Sequence, residues 1–228
     1  MNDVGRAEKP LSLSRERFER IYRTIRDRIC LLEYEPGARL AEEDLAREFG
    51  VSRTPIRRVL TRLESDGLLE SRHGVGTFVI DVDIHALLPI YELRMELAEL
   101  IGRLTPIPRE PSDVERVRAL VARCDEMMES PEPKAYHRLN MEFFHELSAM
   151  TGNQPLKEVS ERLYYLTNRV WLKSIPFLNL RDEISVFRRE MADILAAMEV
   201  GDLETVGHIR RSHISMSVRR MLRYPDQA

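Results

Sequence analysis

One run of twelve residues constrains this chain more than any other stretch: Ser52-Arg53-Thr54-Pro55-Ile56-Arg57-Arg58-Val59-Leu60-Thr61-Arg62-Leu63. Ile56, Val59, Leu60 and Leu63 recur at helical spacing, and Ser52 stands where a helix takes its N-cap. The run carries Arg53, Arg57, Arg58 and Arg62 and no acid, in a chain whose formal charge is −3. Arg53 and Arg57, four residues apart, project from one flank of such a helix, and Arg58 and Arg62 lie well round from them. A helix of this kind has two readings. It is either an amphipathic surface helix with a solvated basic face, or a recognition helix with one arginine pair at base edges and the other at phosphates.

The flanking residues favour the second reading. Pro36-Gly37 is a turn, and Glu42, Glu43 and Asp44 place acids in the first turn of the next helix, where its dipole favours them. Leu45, Ala46 and Phe49 form the buried side of that helix, and Gly50 ends it. Helix, tight Gly-Val turn and Ser-capped basic helix make a helix-turn-helix. After Gly67, Leu68–Ser71 and Thr77–Ile80 read as two strands around a turn at residues 72–76, a β-hairpin wing. Upstream, Phe18, Ile21, Tyr22, Ile25, Ile29 and Leu32 mark a further amphipathic helix. The expectation is a loose arm over residues 1–12 and a winged helix over 13–80.

These residues resemble the N-terminal domain of GntR-family bacterial repressors. Leu45-Ala46, Gly50-Val51-Ser52-Arg53-Thr54-Pro55-Ile56-Arg57, Leu60, Leu63, Gly67-Leu68 and Gly74-Val75-Gly76-Thr77-Phe78-Val79 carry the resemblance. It implies that Arg53 and Arg57 read bases, that Thr54 and Arg39 hold the backbone, and that the wing tip at Gly74 enters the minor groove. The expected DNA-contact set is Arg39, Ser52, Arg53, Thr54, Arg57, Arg58, Arg62, His73 and Gly74. In one branch of the family an arginine at the start of the second helix joins these contacts. Here that place falls on Glu43, and Arg58 adds a basic group where relatives usually carry an acid.

Composition fits a DNA binder whose positive charge is local. Residues 1–80 hold 15 basic and 14 acidic residues, and the remainder 20 and 24. Four lysines accompany 31 arginines, and arginine suits bidentate contacts better. Cys30 and Cys124 fall in different domains, which argues against a structural disulfide and for a reducing cytoplasm. No apolar run is long enough for a membrane span, and no signal peptide is visible.

Beyond the linker Asp81-Val82-Asp83 everything reads as helix, over 84–104, 112–129 (from a capping box Ser112-Asp113-Val114-Glu115), 134–150, 155–174, 181–200 and 203–223. Six such helices make an antiparallel bundle, and bundles place ligand sites between facing helices. The fold class is therefore mainly α, a winged helix-turn-helix followed by a helical effector and dimerisation domain over 84–223. This half resembles the all-helical FCD domain in its six-helix version, through Tyr91-Glu92-Leu93-Arg94, Asn140 with Phe143, Leu147, Thr151-Gly152-Asn153, Glu190, Ala197, Gly201-Asp202 and His213.

Many FCD domains hold a divalent metal with one Asp or Asn and three histidines. Fitted residue by residue, the four ligand places fall on Asn140, Phe144, Met191 and His213, with His145 one residue late on its helix. The expectation is no metal and no cofactor. Arg94 matches a position whose arginine commonly faces the pocket. The expected effector residues are Arg94, Asn140, Phe144, Asn168, Arg169, Met191 and His213, with a small carboxylate bearing an apolar tail as ligand. Phe143, Tyr164 and Trp171 are further candidates for apolar walls. Arg94 could instead pair with Glu99, and His213 alone also reads as a hydrogen-bonded core histidine. The expected partners are a pseudo-palindromic operator duplex, met by a homodimer, and that effector. The alternative is a DNA-binding protein whose bundle only dimerises. No nucleophile motif, phosphate-cradling glycine loop or His/Cys cluster suggests an enzyme.

Overall fold

The structure is a computed structural model that describes residues 9–223. Of the arm expected over 1–12, residues 1–8 lie outside the described residues, and residues 9–12 belong to the first helix. Two compact units divide at Asp81 and Val82.

The first unit runs α1 (Lys9–Cys30), β1 (Arg39–Leu40), α2 (Glu42–Phe49), α3 (Arg53–Ser65), β2 (Leu69–Arg72) and β3 (Gly76–Val79). Its core joins Ile21, Ile25 and Ile29 of α1 with Leu45 of α2, the Ile56, Val59, Leu60 and Leu63 stripe of α3, and Leu68, Leu69 and Val79. Burial of each such side chain contributes about 1.5–3 kcal/mol. Gly50, at φ 62, ends α2. The Val51 amide then reaches back to the Ala46 carbonyl at 3.0 Å, which turns the chain into α3. Ser52 stands at the N-cap of α3 in extended conformation, but its side chain makes no capping hydrogen bond there.

The structure differs from expectation here in two places. Leu32, expected on the α1 stripe, lies past its end at φ 53, where the Glu33 amide closes on the Arg28 carbonyl at 2.8 Å. The wing is also more than a hairpin. Arg39-Leu40 adds a third antiparallel strand in the order β1-β3-β2, pairing Arg39 with Phe78 and Leu40 with Thr77. Two residues are too short for any alternation to be read.

The second unit contains α4 (Ile84–Leu100), α5 (Pro111–Glu129), α6 (Pro133–Ser148), α7 (Gln154–Ser174), a short 3-10 turn (Ile175–Phe177), α8 (Leu180–Glu199) and α9 (Leu203–Met221). Helix α4 packs on α7 and α9, α8 on α5 and α9, and α6 on α5 and α7. Helix α4 ends four residues sooner than its apolar pattern suggested. The capping box of α5 is built by Glu110 and Asp113 rather than Ser112 and Glu115, because Pro111 favours the first helical position and moves the cap one residue before it. A Cβ on Gly207 would lie 2.9 Å from the Glu99 carbonyl oxygen, so glycine sets how closely α9 approaches α4. Among the described residues no helix is long and apolar enough to cross a membrane.

Candidate functional site

Burial of the α3 stripe leaves Arg53, Thr54, Arg57, Arg58 and Arg62 exposed. The sequence suggested arginines without opposing acids, and the structure corrects this. Both carboxylate oxygens of Glu42 accept from Arg57, through Nε and Nη2 at 2.9 Å each. Arg53 donates from Nη1 to Glu43 at 3.0 Å and lies 3.4 Å from Glu42. On the other flank Arg62 pairs with Glu19 of α1 at 2.7 Å and stands 4.0 Å over the Tyr22 ring, and Arg58 lies over Phe18. The acids sit ten to 43 residues away in sequence, so a window on α3 alone could not contain them. Arg57 hydrogen bonds hold the Glu42 carboxyl below its ordinary pKa.

Beside α3 the wing turns at Gly74, at φ 70, with His73 and Val75 exposed around it. A side chain at Gly76 would lie 2.7 Å from Arg39 Nε, so the Arg39 side chain lies across the strand at that glycine. Arg72 Cζ stands 4.7 Å from the Phe78 ring. Arg39, His73 and Gly74 thus cluster at the wing, while Ser52 and Thr54 mark the exposed start of α3.

In the bundle, α4, α6, α7, α8 and α9 line a half-open cavity of about 80 Å³. Arg94, Asn140, Asn168 and His213 all line it, as do Tyr164 and Trp171. Arg94 does not meet Glu99, whose carboxylate is taken by Arg211 at 2.8 Å. Its Nη1 donates to Thr167 Oγ1 at 2.6 Å, and its Cζ lies 5.3 and 5.2 Å from the Tyr91 and Tyr164 rings. Burial, with the Arg210 cation nearby, pulls its pKa down to about 10. Among the described residues Arg94 forms no ion pair. Arg210 does, with Glu190 at 2.5 Å, and His213 Nδ1 lies 3.7 Å from the same carboxylate.

Three polar atoms on this wall are buried with no hydrogen-bond partner among the described residues: both amide atoms of Asn168 and Nε2 of His137. Burial drops the His137 pKa to about 3, so its ring is neutral. A second, mainly apolar cavity of only about 20 Å³ shares Arg94 and Arg210 with the first and is lined by Leu97, Ile101, Phe144, Leu147 and Ile214.

Three expected effector residues lie elsewhere than in the main cavity. Phe144 stacks on Tyr164 with ring centres 3.8 Å apart and faces the apolar cavity. Met191 and Arg169 are buried in the bundle and line neither cavity. Each sits one residue from a cavity residue, Glu190 or Asn168, and one helical step turns it away by about 100°. Phe143 packs edge-on against Phe187 in the core. His137, Glu190 and Arg210 were not singled out as site residues, since each stands on a different helix and only packing brings them together.

Residues 17–79 match the family described as bacterial regulatory proteins, gntR family, and residues 89–216 match the FCD domain. The second match alone spans more than half of the chain. This chain belongs to the GntR family, in its FCD branch. It is 34% identical over 155 residues to the HTH-type transcriptional regulator Rv0494 of Mycobacterium tuberculosis, covering 60% of this chain and 63% of that one. It is 34% identical over 98 residues to the histidine utilization repressor of Klebsiella aerogenes, covering 42% and 40%. The chain spans less than two thirds of the length of the first relatives it matches, 63%, 58% and 64% of three of them. E. coli McbR/YncC shares the fold at a TM-score of 0.79 and 20% identity, over 91% of this chain and 97% of that one. The domains and relatives of this GntR chain are transcriptional regulators, not enzymes.

The metal that the FCD resemblance implies does not fit the residues present. Of the four fitted ligand places, Phe144 and Met191 offer a stacked phenyl ring and a buried thioether. Asn140 Oδ1 accepts from Tyr164 at 2.9 Å, and the Glu190 carboxylate is engaged by Arg210. His145, the residue one step late, is exposed and bonds the Tyr165 hydroxyl at 2.8 Å. Of three guanidinium groups lining the same cavity, Arg210 pairs with Glu190 and Arg220 with Glu183, and Arg94 is left over as a positive charge with no ion pair among the described residues. That arrangement suits an anion and repels a metal cation.

Proposed function

We propose that this GntR-family chain is a sequence-specific DNA-binding transcriptional repressor, and that a small organic acid in the bundle cavity modulates its hold on the operator. The observation carrying the DNA half is the exposed Arg53, Thr54 and Arg57 face on α3 of a winged helix-turn-helix. A bound operator would be closed to polymerase. Two-fold pairing of the chain lets two recognition helices meet a pseudo-palindrome.

The effector half rests on Arg94, a guanidinium that lines the cavity and forms no ion pair among the described residues, and on the atoms of Asn168 and His137 that have no hydrogen-bond partner among them. Each buried group of that sort costs about 1–3 kcal/mol while unsatisfied, which a purely structural bundle leaves standing. A carboxylate at Arg94 with a hydroxyl or carbonyl at Asn168 gives partners to the guanidinium and the amide, and Trp171, Phe187 and Ile214 supply apolar wall in the same cavity.

Light scattering, with a duplex selected from a random library by the protein itself, tests the first half. The expected results are a mass twice 26.6 kDa and binding of the selected duplex roughly 10³-fold or more tighter than random duplex. Equal binding of both duplexes, or a monomeric mass at micromolar concentration, overturns it.

A further inference from the structure

The acids opening α2 hold the two principal arginines of α3, and they hold them differently. A guanidinium has two planar edges that can each meet a pair of acceptors, one made by Nε and Nη2 and one by Nη1 and Nη2. Glu42 takes the first edge of Arg57 with both oxygens at 2.9 Å. Arg57 remains 66% exposed while the Glu42 side chain is only 24% exposed, and Arg57 Nη1 makes no hydrogen bond to a described residue. The edge left open is the one that matches the O6 and N7 acceptors of guanine. Arg53 is placed otherwise. Its Nη1 is taken by Glu43 at 3.0 Å and its Nε and Nη2 lie 3.4 Å from Glu42, so acids face both of its edges. Glu43 itself is exposed and makes this one pair among the described residues.

We propose that Glu42 is a positioning residue, which fixes Arg57 for two-point recognition of guanine, whereas Glu43 restrains Arg53 and must release it before DNA binds. This rests on the reading of α3 as a recognition helix. Two neighbouring acids in one helical turn, equal in charge and in their benefit to the helix dipole, thus act on DNA binding in opposite directions. Glu42 gains its role by being shielded and bidentate, which limits the rotamers open to Arg57 before any duplex arrives. Glu43 meets Arg53 through a single exposed contact, so a base or phosphate can displace it at small cost.

The test measures affinity for the selected duplex and for random duplex at several salt concentrations, with circular dichroism and melting temperature as folding controls. Glu42→Gln is expected to lower the ratio of selected to random affinity about tenfold, within the range of one bidentate base contact, without weakening random binding. Glu42→Asp keeps the charge but shortens the reach, and it is expected to lower the ratio as well. Glu43→Gln is expected to tighten the selected duplex several-fold and keep the ratio. In an Arg57→Ala background, Glu42→Gln is expected to change the ratio no further, because the effect passes through Arg57. Glu42→Gln with an unchanged ratio overturns the inference, as does an undiminished effect in the Arg57→Ala background. Equal effects of Glu42→Gln and Glu43→Gln, moving with melting temperature, assign both acids to the helix alone and overturn it too. A wild-type protein that selects no duplex over random removes the DNA-binding reading itself, and the inference falls with it.

Discussion

On α3 the arginines lie at the surface, and three of the four meet acids delivered by another element, Arg53 and Arg57 from α2 and Arg62 from α1. In the bundle Arg94, Arg210 and Arg220 line one cavity; Arg210 and Arg220 contact carboxylates, and among the described residues Arg94 contacts none. Exposed ion pairs contribute about 0–1 kcal/mol, so they can be exchanged for phosphates or bases with little loss. A buried guanidinium has already lost its water, and without a carboxylate it keeps that cost. The first arrangement serves a partner that comes and goes over a broad surface. The second singles out a small anion that fits one place among the helices.

The comparison breaks most sharply at Glu190 and Glu19. Glu190→Ala strands the Arg210 guanidinium inside the bundle and should destabilise the protein by about 3–5 kcal/mol. Glu19→Ala removes an ion pair of equally good geometry at the surface and should cost no more than about 1 kcal/mol. Denaturant unfolding of both variants gives the two numbers, and similar values would erase the distinction between the regions.

A smaller effect sharpens it. The His137 ring is neutral in the fold down to about pH 3, against an ordinary value of 6.5, and burial is the cause. Between those values the unfolded chain binds the extra proton, so stability rises with pH up to about 6.5 and is level above it with respect to this group. Below that point the loss is about 1.4 kcal/mol per pH unit. Unfolding at pH 5, 6 and 7 should show this slope in the wild type and a smaller one in His137→Asn, the remainder including His213, whose pKa burial also lowers. An undiminished slope after the substitution would contradict the assignment to His137.

The winged unit was the more legible in sequence because its signals are local. The Ile56, Val59, Leu60 and Leu63 stripe, the Gly50 turn and the four arginines all lie within sixteen residues or fewer of one another. What stayed hidden there came from packing between elements: the Glu42 and Glu43 clamps, the Glu19 pair, and β1, whose two residues carry no periodicity. In the bundle, the walls come from five helices; the FCD resemblance points to Arg94, Asn140 and His213, and Asn168 is a polar candidate beside them without that support. The resemblance could not say that Glu190 rather than Met191 faces the cavity. That depends on the rotation of α8 about its axis, which the pattern around residue 190 leaves open because buried residues occur on both sides of it. His137 escaped notice since an unpartnered nitrogen becomes visible only when its surroundings are known.

The central claim is that exchangeable arginines on α3 meet DNA while Arg94 of the bundle, which has no ion pair among the described residues, meets an acid. The most direct measurement compares wild type, Arg57→Ala and Arg94→Ala on the selected duplex, with and without the organic acid giving the largest thermal shift in a screen. Arg57→Ala should lose about 1–3 kcal/mol of binding to that duplex and keep its thermal shift with the acid. Arg94→Ala should bind the duplex as the wild type does, yet show no thermal shift and no change of affinity when the acid is added. An Arg94→Ala protein that responds to the acid in full, or an Arg57→Ala protein that binds the selected duplex undiminished, would contradict the account.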